Sequence, residues 1–363
     1  MTKNKIIVEK KSTKLNSKFV CDKCNKKKVI TLNYGPHNFC KKHFNIFFEN
    51  RFKKTIRKYS LFKSKEKLLI AVSGGKDSIV TLTLLNKFYS KSNPIEVLII
   101  DEGVKNYRNK AIKIAKKTCK KLGVKYHIIS FKKRFGITND EIMPILLENK
   151  KLGGTCAFCG VMRRNIMNNF ARKMKADKLV TGHNLNDEVQ SFVMNVFNNE
   201  IERIIRSGAK PGIIKHNNFV KRIKPLYETP EKEIIAYCAF NNIEHYSQEC
   251  CPYSWTAKRN EYREMLNKFE NRFPGNDYSI LRFYETLKKK ITPTKNEKEI
   301  LQKQLKECSI CGEPTEKKIC KTCELIQKMK NEKKIKKKNK ITKNTKKFIK
   351  KNKLTCAITK YNK

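Results

Sequence analysis

The chain has 363 residues, with 83 Lys and Arg against 33 Asp and Glu, so its formal net charge is +50 at pH 7. This excess predicts a polyanionic partner such as RNA, although Lys, Asn and Ile are abundant together and a biased base composition would also raise the charge. No apolar run approaches the length of a membrane span and the first residues contain no apolar signal region, which predicts a cytoplasmic protein with reduced cysteines and no membrane partner.

A metal site is predicted just after the polar, basic N-terminus. Cys21 and Cys24 form one close pair of ligands, and Cys40 and His43 form a second pair. Two such pairs suit tetrahedral Zn²⁺, and four protein ligands predict a structural site; the alternative is a group of reduced structural thiols. A helix over 44–59, with one apolar face, then leads towards the next domain.

Residues 68–85 predict a buried strand, a glycine turn and a helix in direct succession. Residues 68–72 form a short apolar run, Gly74 and Gly75 permit a tight turn, and 78–85 have helical apolar spacing. The first N–H groups of such a helix are unpaired, which favours an anion such as pyrophosphate at the turn. The alternative is a glycine turn that binds nothing. The spacing differs from that of the common P-loop.

Strand and helix patterns continue to alternate after this turn, which predicts a parallel α/β sheet. We expect strands over 95–100, 124–130 and 179–181, and helices over 109–122, 141–149 and 229–241. A further helix is expected to start within 182–188 and to end near Asn198. Ligands of such sheets bind at the carboxyl ends of strands, so Asp101, Gly182, His183 and Asp187 are expected near the nucleotide. Asp101 and Asp187 could instead simply cap turns or helices.

Helix boundaries are predicted from capping residues and breakers. Asn139 or Asp140 is expected to cap the helix over 141–149, and Thr229 the helix over 229–241, with Pro230 at its first position. Residues 263–290 are expected to be helical and basic.

Two separated groups of cysteines predict a further metal or catalytic site. Cys156 and Cys159 precede a basic helix expected over 161–175, and their natural partners are Cys250 and Cys251 far downstream. These four cysteines would make a third zinc site. Alternatively, three of them leave one coordination position open, as an iron–sulfur cluster can offer.

The C-terminal half of the chain predicts basic surfaces and a second zinc ribbon. The segment 201–224 bears many basic residues and is expected to touch phosphates, and the Lys-rich tail over 331–363 would add nonspecific RNA affinity or have no specific role. The strongest metal signal of the chain is its second zinc ribbon, formed by Cys308, Cys311, Cys320 and Cys323.

Six segments are predicted from these patterns. They are a basic N-terminal segment (1–20), a zinc module with its connecting helix (21–62), the α/β nucleotide domain with the cysteine cluster (63–260), a helical basic region (261–300), a zinc ribbon (301–330) and the Lys-rich tail (331–363).

In this order the motifs resemble those of the tRNA 2-thiolation enzymes, which are ATP pyrophosphatase-type (PP-loop) sulfurtransferases. The resemblance spans about residues 20–325, including SGGKDS at 73–78 and TGHNLNDE at 181–188. It implies a PP-loop fold, a Rossmann-like, adenine nucleotide α-hydrolase-like parallel sheet flanked by N- and C-terminal zinc modules. Residues 100–108, and Arg163 in place of a Lys, are most similar to the branch that acts on the wobble uridine rather than on position 54.

The resemblance also implies roles for individual residues. ATP and Mg²⁺ would be bound by Ser73, Gly74, Gly75, Lys76, Asp77, Ser78, Asp101, Gly182 and His183. Catalysis would involve Lys76, Asp187 and the trio Cys156, Cys159 and Cys251, which would hold a [4Fe-4S] cluster or carry persulfide, with Cys250 as a substitute for Cys251. RNA binding is expected of Arg163, Arg164, Arg203, Arg206, Lys221 and Arg222.

The expected partners are tRNA and a sulfur donor such as a ubiquitin-like sulfur carrier protein, and the resemblance implies a homodimer or a heteromeric partner subunit. The expected cofactors are ATP, Mg²⁺, two Zn²⁺ and the [4Fe-4S] cluster. Two other readings remain open: a PP-loop enzyme with an amine nucleophile would not need the cysteine trio, and a noncatalytic RNA-binding protein would not need an intact SGGKDS loop.

Overall fold

Strands and helices follow one another along the computed structural model, which describes residues 19–35, 37–149, 154–212, 216–247, 251–254, 257–292, 294 and 305–338. The N-terminal module consists of β1 (Val20–Cys21), β2 (Cys24–Lys27), β3 (Ile30–Leu32), β4 (His37–Phe39) and α1 (Lys41–Lys58). The central part contains β5 (Leu68–Ala71), α2 (Lys76–Tyr89), β6 (Ile95–Asp101), α3 (Arg108–Lys121), β7 (Lys125–Ser130), α4 (Phe131–Phe135), α5 (Asn139–Glu148), α6 (Thr155–Lys173), β8 (Lys178–Thr181), α7 (Leu185–Phe197), α8 (Ile201–Arg206), β9 (Lys221–Ile223) and α9 (Glu231–Phe240).

The C-terminal part contains two long helices, a small ribbon and a final helix. These elements are α10 (Arg259–Arg272), α11 (Asn276–Ile291), β10 (Lys306–Glu307), β11 (Pro314–Thr315) and α12 (Lys321–Lys338). Among the described residues, no helix is long and apolar enough to cross a membrane.

A five-stranded sheet with the order β7-β6-β5-β8-β9 forms the centre of the fold, and all its neighbouring strands are parallel. Leu68, Leu69 and Ile70 in β5 are fully buried, as expected of a strand covered on both faces. The chain passes from β5 to β6 and β7 on one side, and then returns to β8 on the other side. The carboxyl end of β5 therefore lies at a topological switch point, where open α/β sheets bind ligands.

The two faces of the sheet carry separate apolar cores. Leu68 and Ile70 point to the α1 face, where Phe44, Phe48 and Phe52 of α1 are fully buried. Leu69 belongs to the opposite α6 face. On that face the apolar side chains of α5, α6 and α12 pack together, among them Ile142, Phe158, Met162, Ile166, Leu325 and Met329. The parallel α/β, Rossmann-like sheet predicted from the sequence is confirmed.

Some predicted boundaries are wrong for local reasons. The caps expected at Asn139 or Asp140 and at Thr229 are not formed: Thr138 caps α5, in a capping box with Glu141, and α9 has Pro230 as its N-cap with no side-chain bond. The helix expected from 161 instead begins at Thr155, directly after extended Gly154, and continues through Gly160 without interruption.

The C-terminal helices and the basic segment also differ from expectation. The helix expected over 263–290 is interrupted at Pro274 and Gly275, where Gly275 has a φ of 99° and starts α11. The segment 201–224 is not only surface, since β9 belongs to the central sheet and Lys224 is buried. Residues 213–215 of that segment, Cys250, and the tail beyond 338 lie outside the described residues.

Candidate active site

A closed glycine loop connects β5 to α2 at the switch point. Gly74 has a φ of 92°, and a Cβ atom there would lie 2.2 Å from the backbone oxygen of Ala111 in α3, so only glycine fits. Ser78 Oγ donates to the Gly75 carbonyl (2.9 Å) and lies 3.0 Å from Ser73 Oγ. Because α2 has no side-chain cap, its N-terminal N–H groups remain available to an anion at this loop.

Charged side chains meet at the start of α2. Lys76 Nζ contacts Glu231 Oε1 at 2.6 Å and Asp77 Oδ2 at 3.2 Å, while Asp77 Oδ1 accepts from Asn184 Nδ2 at 3.0 Å. Burial raises the pKa of Asp77 against the opposing effect of Lys76. Burial lowers the pKa of Lys76, but Asp77 and Glu231 raise it to a net value above its usual range. A lysine and a carboxylate at a helix N-terminus can bind phosphates together with Mg²⁺.

The end of β8 lies directly against this loop. A Cβ atom at Gly182 would be 2.9 Å from the backbone of Asp77, so the residue that follows β8 packs closely against the first turn of α2. His183 Nδ1 is 2.9 Å from Thr181 Oγ1, and burial together with nearby Lys224 lowers the pKa of His183 well below its usual range. This imidazole is therefore neutral and serves as a hydrogen-bonding group.

Asp101 and Asp187 both make local backbone contacts. Asp101 Oδ1 accepts from the Gly103 N–H at 2.9 Å, which closes the turn after β6. Asp187 and Asn184 form a capping box at the start of α7, and Asp187 Oδ1 lies 3.7 Å from an Arg259 nitrogen. Capping thus accounts for part of the role of each carboxylate, while their place at the carboxyl edge keeps both close to the loop.

A buried ion pair connects the glycine loop to the cysteine-bearing helix. Arg108 Nε lies 2.6 Å from Glu102 Oε2 and donates to the Ile100 carbonyl at 2.7 Å, and Arg108 Nη1 donates to the Ser73 carbonyl. The other oxygen of Glu102 lies 3.3 Å from Arg163 Nε in α6. Arg163 is therefore directed towards Glu102 rather than being a free surface cation.

The cysteine trio lies at the same carboxyl edge. Cys156 and Cys159 are in the first turns of α6, and Cys156 Sγ is 4.0 Å from the carbonyl of Tyr253, two residues after Cys251. Burial, with smaller contributions from the neighbouring thiols, raises the pKa of Cys159 to about 12 and that of Cys251 to about 11. These three sulfur atoms are not among the described ligand groups that lie within 4.8 Å of one another. At least one pair of these sulfur atoms is therefore more than 4.8 Å apart.

Two other groups have tetrahedral spacing. The ligand atoms of Cys21, Cys24, Cys40 and His43 all lie within 4.8 Å of one another, as do those of Cys308, Cys311, Cys320 and Cys323. Sulfur atoms are 3.8 Å apart between Cys24 and Cys40 and 3.6 Å apart between Cys311 and Cys320. A zinc–sulfur bond of about 2.3 Å in a tetrahedron gives a sulfur–sulfur distance of about 3.8 Å. The geometry of both sets fits zinc.

The C-terminal ribbon packs on the back of the cysteine-bearing helix. Asn168 and Asn169 of α6 donate to the two carboxylate oxygens of Glu313 at 3.0 and 2.8 Å, and Arg172 donates to the Gly312 carbonyl at 3.0 Å. Burial raises the pKa of Glu313. The ribbon therefore contributes to the position of α6.

The basic residues predicted to bind RNA are not equivalent. Arg203 is exposed and pairs with Glu200 at 2.8 Å, and Arg206 and Lys221 are exposed. Arg164 is also exposed, whereas Arg222 is half-buried. Sequence reasoning missed Glu231, Asn184 and Arg108. Glu102 could have been found from its position directly after a strand. The contacts of Glu231, Asn184 and Arg108 could not be inferred, because their partners are distant in the chain.

Comparisons with known proteins agree with this geometry. A family model of the PP-loop domain matches residues 44–269. The tRNA-5-methyluridine(54) 2-sulfurtransferase of Pyrococcus horikoshii is 35% identical over 84% of this chain and 92% of its own length, and the tRNA 2-thiolation protein NcsA of Haloferax volcanii is 32% identical over 85% and 98%. The solved U34-tRNA thiolase NcsA of Methanococcus maripaludis, with its [4Fe-4S] cluster, is 32% identical with a TM-score of 0.72, covering 85% of this chain and 96% of that chain.

Proposed function

Because the chain belongs to the PP-loop family of tRNA 2-thiolation proteins, we propose that it is a tRNA sulfurtransferase that uses ATP to replace the C2 oxygen of a uridine with sulfur. One observation carries the proposal. The SGGKDS loop and the cysteine trio lie at the same edge of the sheet, and the pair of Glu102 and Arg108 connects them. A noncatalytic RNA-binding protein has no need of this arrangement.

In the first step the uridine O2 attacks the α-phosphorus of ATP, and the bond to the β-phosphate breaks. The loop over 73–78 and Lys76 stabilise the departing pyrophosphate, because they present N–H groups and a cation where negative charge develops. Asp77 is the ligand proposed for Mg²⁺. Asp101, Gly182 and His183 would border the nucleotide, and Asp187 would orient it or accept a proton.

In the second step a sulfur atom attacks C2, the C2–O bond breaks, and AMP leaves with the oxygen. Cys156, Cys159 and Cys251 provide three thiols that are not all within 4.8 Å of one another, and three protein thiolates are the ligand set of a [4Fe-4S] cluster that keeps one iron open. Such a cluster would supply an iron with an open position for sulfide. The alternative is a persulfide on one of the three cysteines: its outer sulfur attacks C2, and a second cysteine thiol then attacks the inner sulfur, so that the S–S bond to the nucleotide breaks and a disulfide forms between the two cysteines. A PP-loop enzyme that uses an amine nucleophile would not need these three cysteines.

Lys76→Ala tests the ATP step. We expect the variant to lose thiolation, since its ammonium would no longer stabilise the pyrophosphate, and to keep its tRNA affinity. Lys87→Ala on the same helix is the matched control, because Lys87 is exposed and pairs only with Glu49 in the described part of the chain. Sulfur incorporation is measured with both variants. Normal thiolation by Lys76→Ala would remove the central claim.

We assign the modified position to the wobble uridine. Arg163 and residues 100–108 favour this branch, and the M. maripaludis protein similar to this chain is described as a U34-tRNA thiolase. Unpaired anticodon bases also enter a pocket at lower cost than a base held in T-loop structure. Position 54 is the second candidate, because the P. horikoshii relative acts there.

A single substitution in the RNA distinguishes the two positions. A tRNA with a UUN anticodon and the same tRNA with cytidine at the wobble position are incubated with ATP and a sulfide source, and the sulfur is mapped. We expect thiolation of the first RNA alone. Equal incorporation into both, mapped to the T-loop, would overturn the assigned position and leave the chemistry intact.

The reaction also requires a sulfur donor in the cell. We propose a ubiquitin-like sulfur carrier protein as donor, the cytoplasm as location, and a homodimer or a heteromeric complex as the assembly. The family relation supports all three. Size measurement of the purified protein and thiolation with a thiocarboxylated carrier as the sole sulfur source test the assembly and the donor.

A further inference from the structure

The seam between α6 and the edge strand β9 places two arginines side by side. Asn168 in α6 accepts from the Val220 N–H at 3.0 Å and donates to the Asn218 carbonyl at 2.8 Å. Arg164 lies one helical turn before Asn168 on the same face, and Arg222 lies two residues after Val220 on the same strand face. Four helical residues advance about 6 Å and two strand residues advance about 6.6 Å.

The direction of Arg222 supports this placement. Arg222 is the register partner of Leu179, whose side chain belongs to the core on the α6 face of the sheet. Because paired residues of neighbouring strands point to the same face, Arg222 points under α6. Arg164 and Arg222 therefore lie together, one step closer to the carboxyl edge of the sheet than Asn168.

No ion pair in the described part of the chain neutralises these two arginines, and Glu188 raises the pKa of Arg222 without pairing with it. Arg222 Nε is buried and has no hydrogen-bond partner among the described residues, and neither arginine makes an ion pair there. The neighbouring carboxylate of Glu188 is engaged with buried Lys224 at 2.5 Å. Burial lowers the pKa of Arg222, and burial together with Arg222 lowers the pKa of Arg164. Two adjacent guanidinium groups without a counterion predict an anion between them.

The position of the pair relates it to the reaction centre. A Cβ atom at Gly160 would lie 3.2 Å from Arg164 Nη1, so the guanidinium folds back over the residue that follows Cys159. Arg163, the next residue towards the cysteines, already forms an ion pair with Glu102. The free positive charge is therefore adjacent to the cysteine trio.

We propose that Arg164 and Arg222 together bind one backbone phosphate of the substrate RNA strand, next to the nucleotide that is modified. The planar guanidinium fork matches the oxygens of a phosphate, and two forks bind it from two sides. The site would fix the strand beside the cysteines while carrying no sequence information itself. This inference rests on the proposed function, which supplies the RNA substrate.

Arg164→Gln and Arg222→Gln test the site by direct binding. We expect each variant to bind tRNA about tenfold more weakly. The slope of log affinity against log salt should fall by about one, as for one lost phosphate contact. Thermal stability should stay equal or rise, because the repulsion between two neighbouring like charges is removed. A purely structural role would lower the stability instead.

Arg57→Gln is the matched control, since Arg57 is an exposed arginine of α1 on the opposite face of the sheet. Its tRNA affinity should stay within about twofold of the unchanged protein. An equal loss with Arg57→Gln, or unchanged tRNA affinity in the Arg164 and Arg222 variants, would overturn the inference. So would a loss of ATP affinity alone, because it would assign the phosphate to ATP.

The two proposals fail separately in this design. Binding is measured without sulfur transfer, so the phosphate site is judged by affinity and salt dependence alone. Absence of thiolation by the unchanged protein would refute the proposed function without affecting the binding result.

Discussion

The buried ion pair of Glu102 and Arg108 predicts a large stability cost for Glu102→Gln. The side chains are close, at 2.6 Å, and the two residues are only 7% and 4% exposed. Arginine does not lose its proton in a folded protein, so the substitution leaves a buried cation without its counterion. Breaking a buried pair costs about 3–5 kcal/mol. We expect about 3 kcal/mol, at the lower end of that range, because Gln has nearly the same size and shape as Glu and the substitution removes the charge without leaving a cavity.

An exposed pair of the same length provides the control. Lys117 Nζ also lies 2.6 Å from Glu244, but these side chains are 69% and 53% exposed. Water and salt screen such a pair, so Glu244→Gln should change the free energy of unfolding by less than about 0.5 kcal/mol. Because the N–O distance is the same in both ion pairs and only their burial differs, the comparison separates the effect of desolvation from the effect of distance.

Urea denaturation of both variants measures the two free energies of unfolding. Because Arg108 also holds the Ser73 carbonyl, Glu102→Gln should weaken ATP binding, whereas Glu244→Gln should not. If Glu102→Gln lowers the free energy of unfolding by less than about 1 kcal/mol, or if both variants lower it equally, burial does not determine how much the pair of Glu102 and Arg108 contributes to stability.

Two further predictions concern metal content and pH. Cys308→Ser should lower the zinc content from about two to about one per chain and speed amide hydrogen exchange in α6. Cys24→Ser should also lose one zinc but leave the exchange in α6 unchanged. Metal analysis measures the zinc content, and mass spectrometry measures the hydrogen exchange. Burial, reinforced by Glu270, raises the pKa of Asp277 to about 7. Because the pKa of this carboxyl in the unfolded chain is about 3.9, the stability of the protein falls as the pH rises from about 4 to about 7. Asp277→Asn should therefore be more stable than the unchanged protein in urea at pH 8, with a smaller gain at pH 6; an equal gain at both would contradict the shift.

Local patterns in the sequence were sufficient to predict the sheet, the glycine loop and both four-ligand metal groups. Each depends on residues within a few turns of one another, such as the apolar run before Gly74 or the two close pairs of the N-terminal module. Propensity and spacing act over that range. The start of α6 was not predicted correctly: the helix begins at Thr155 rather than near 161.

Only the tertiary structure decided how distant residues combine. Lys76 meets Glu231 across 155 residues, and Arg108 donates to the carbonyl of Ser73 across 35 residues. Strand order controls these contacts, because it determines which carboxyl ends are neighbours, and a local pattern contains no information about that order. The same holds for Arg164 and Arg222. The sequence predicted both as RNA-binding cations, but their adjacency and missing counterion follow from β9 joining the sheet beside β8 under α6.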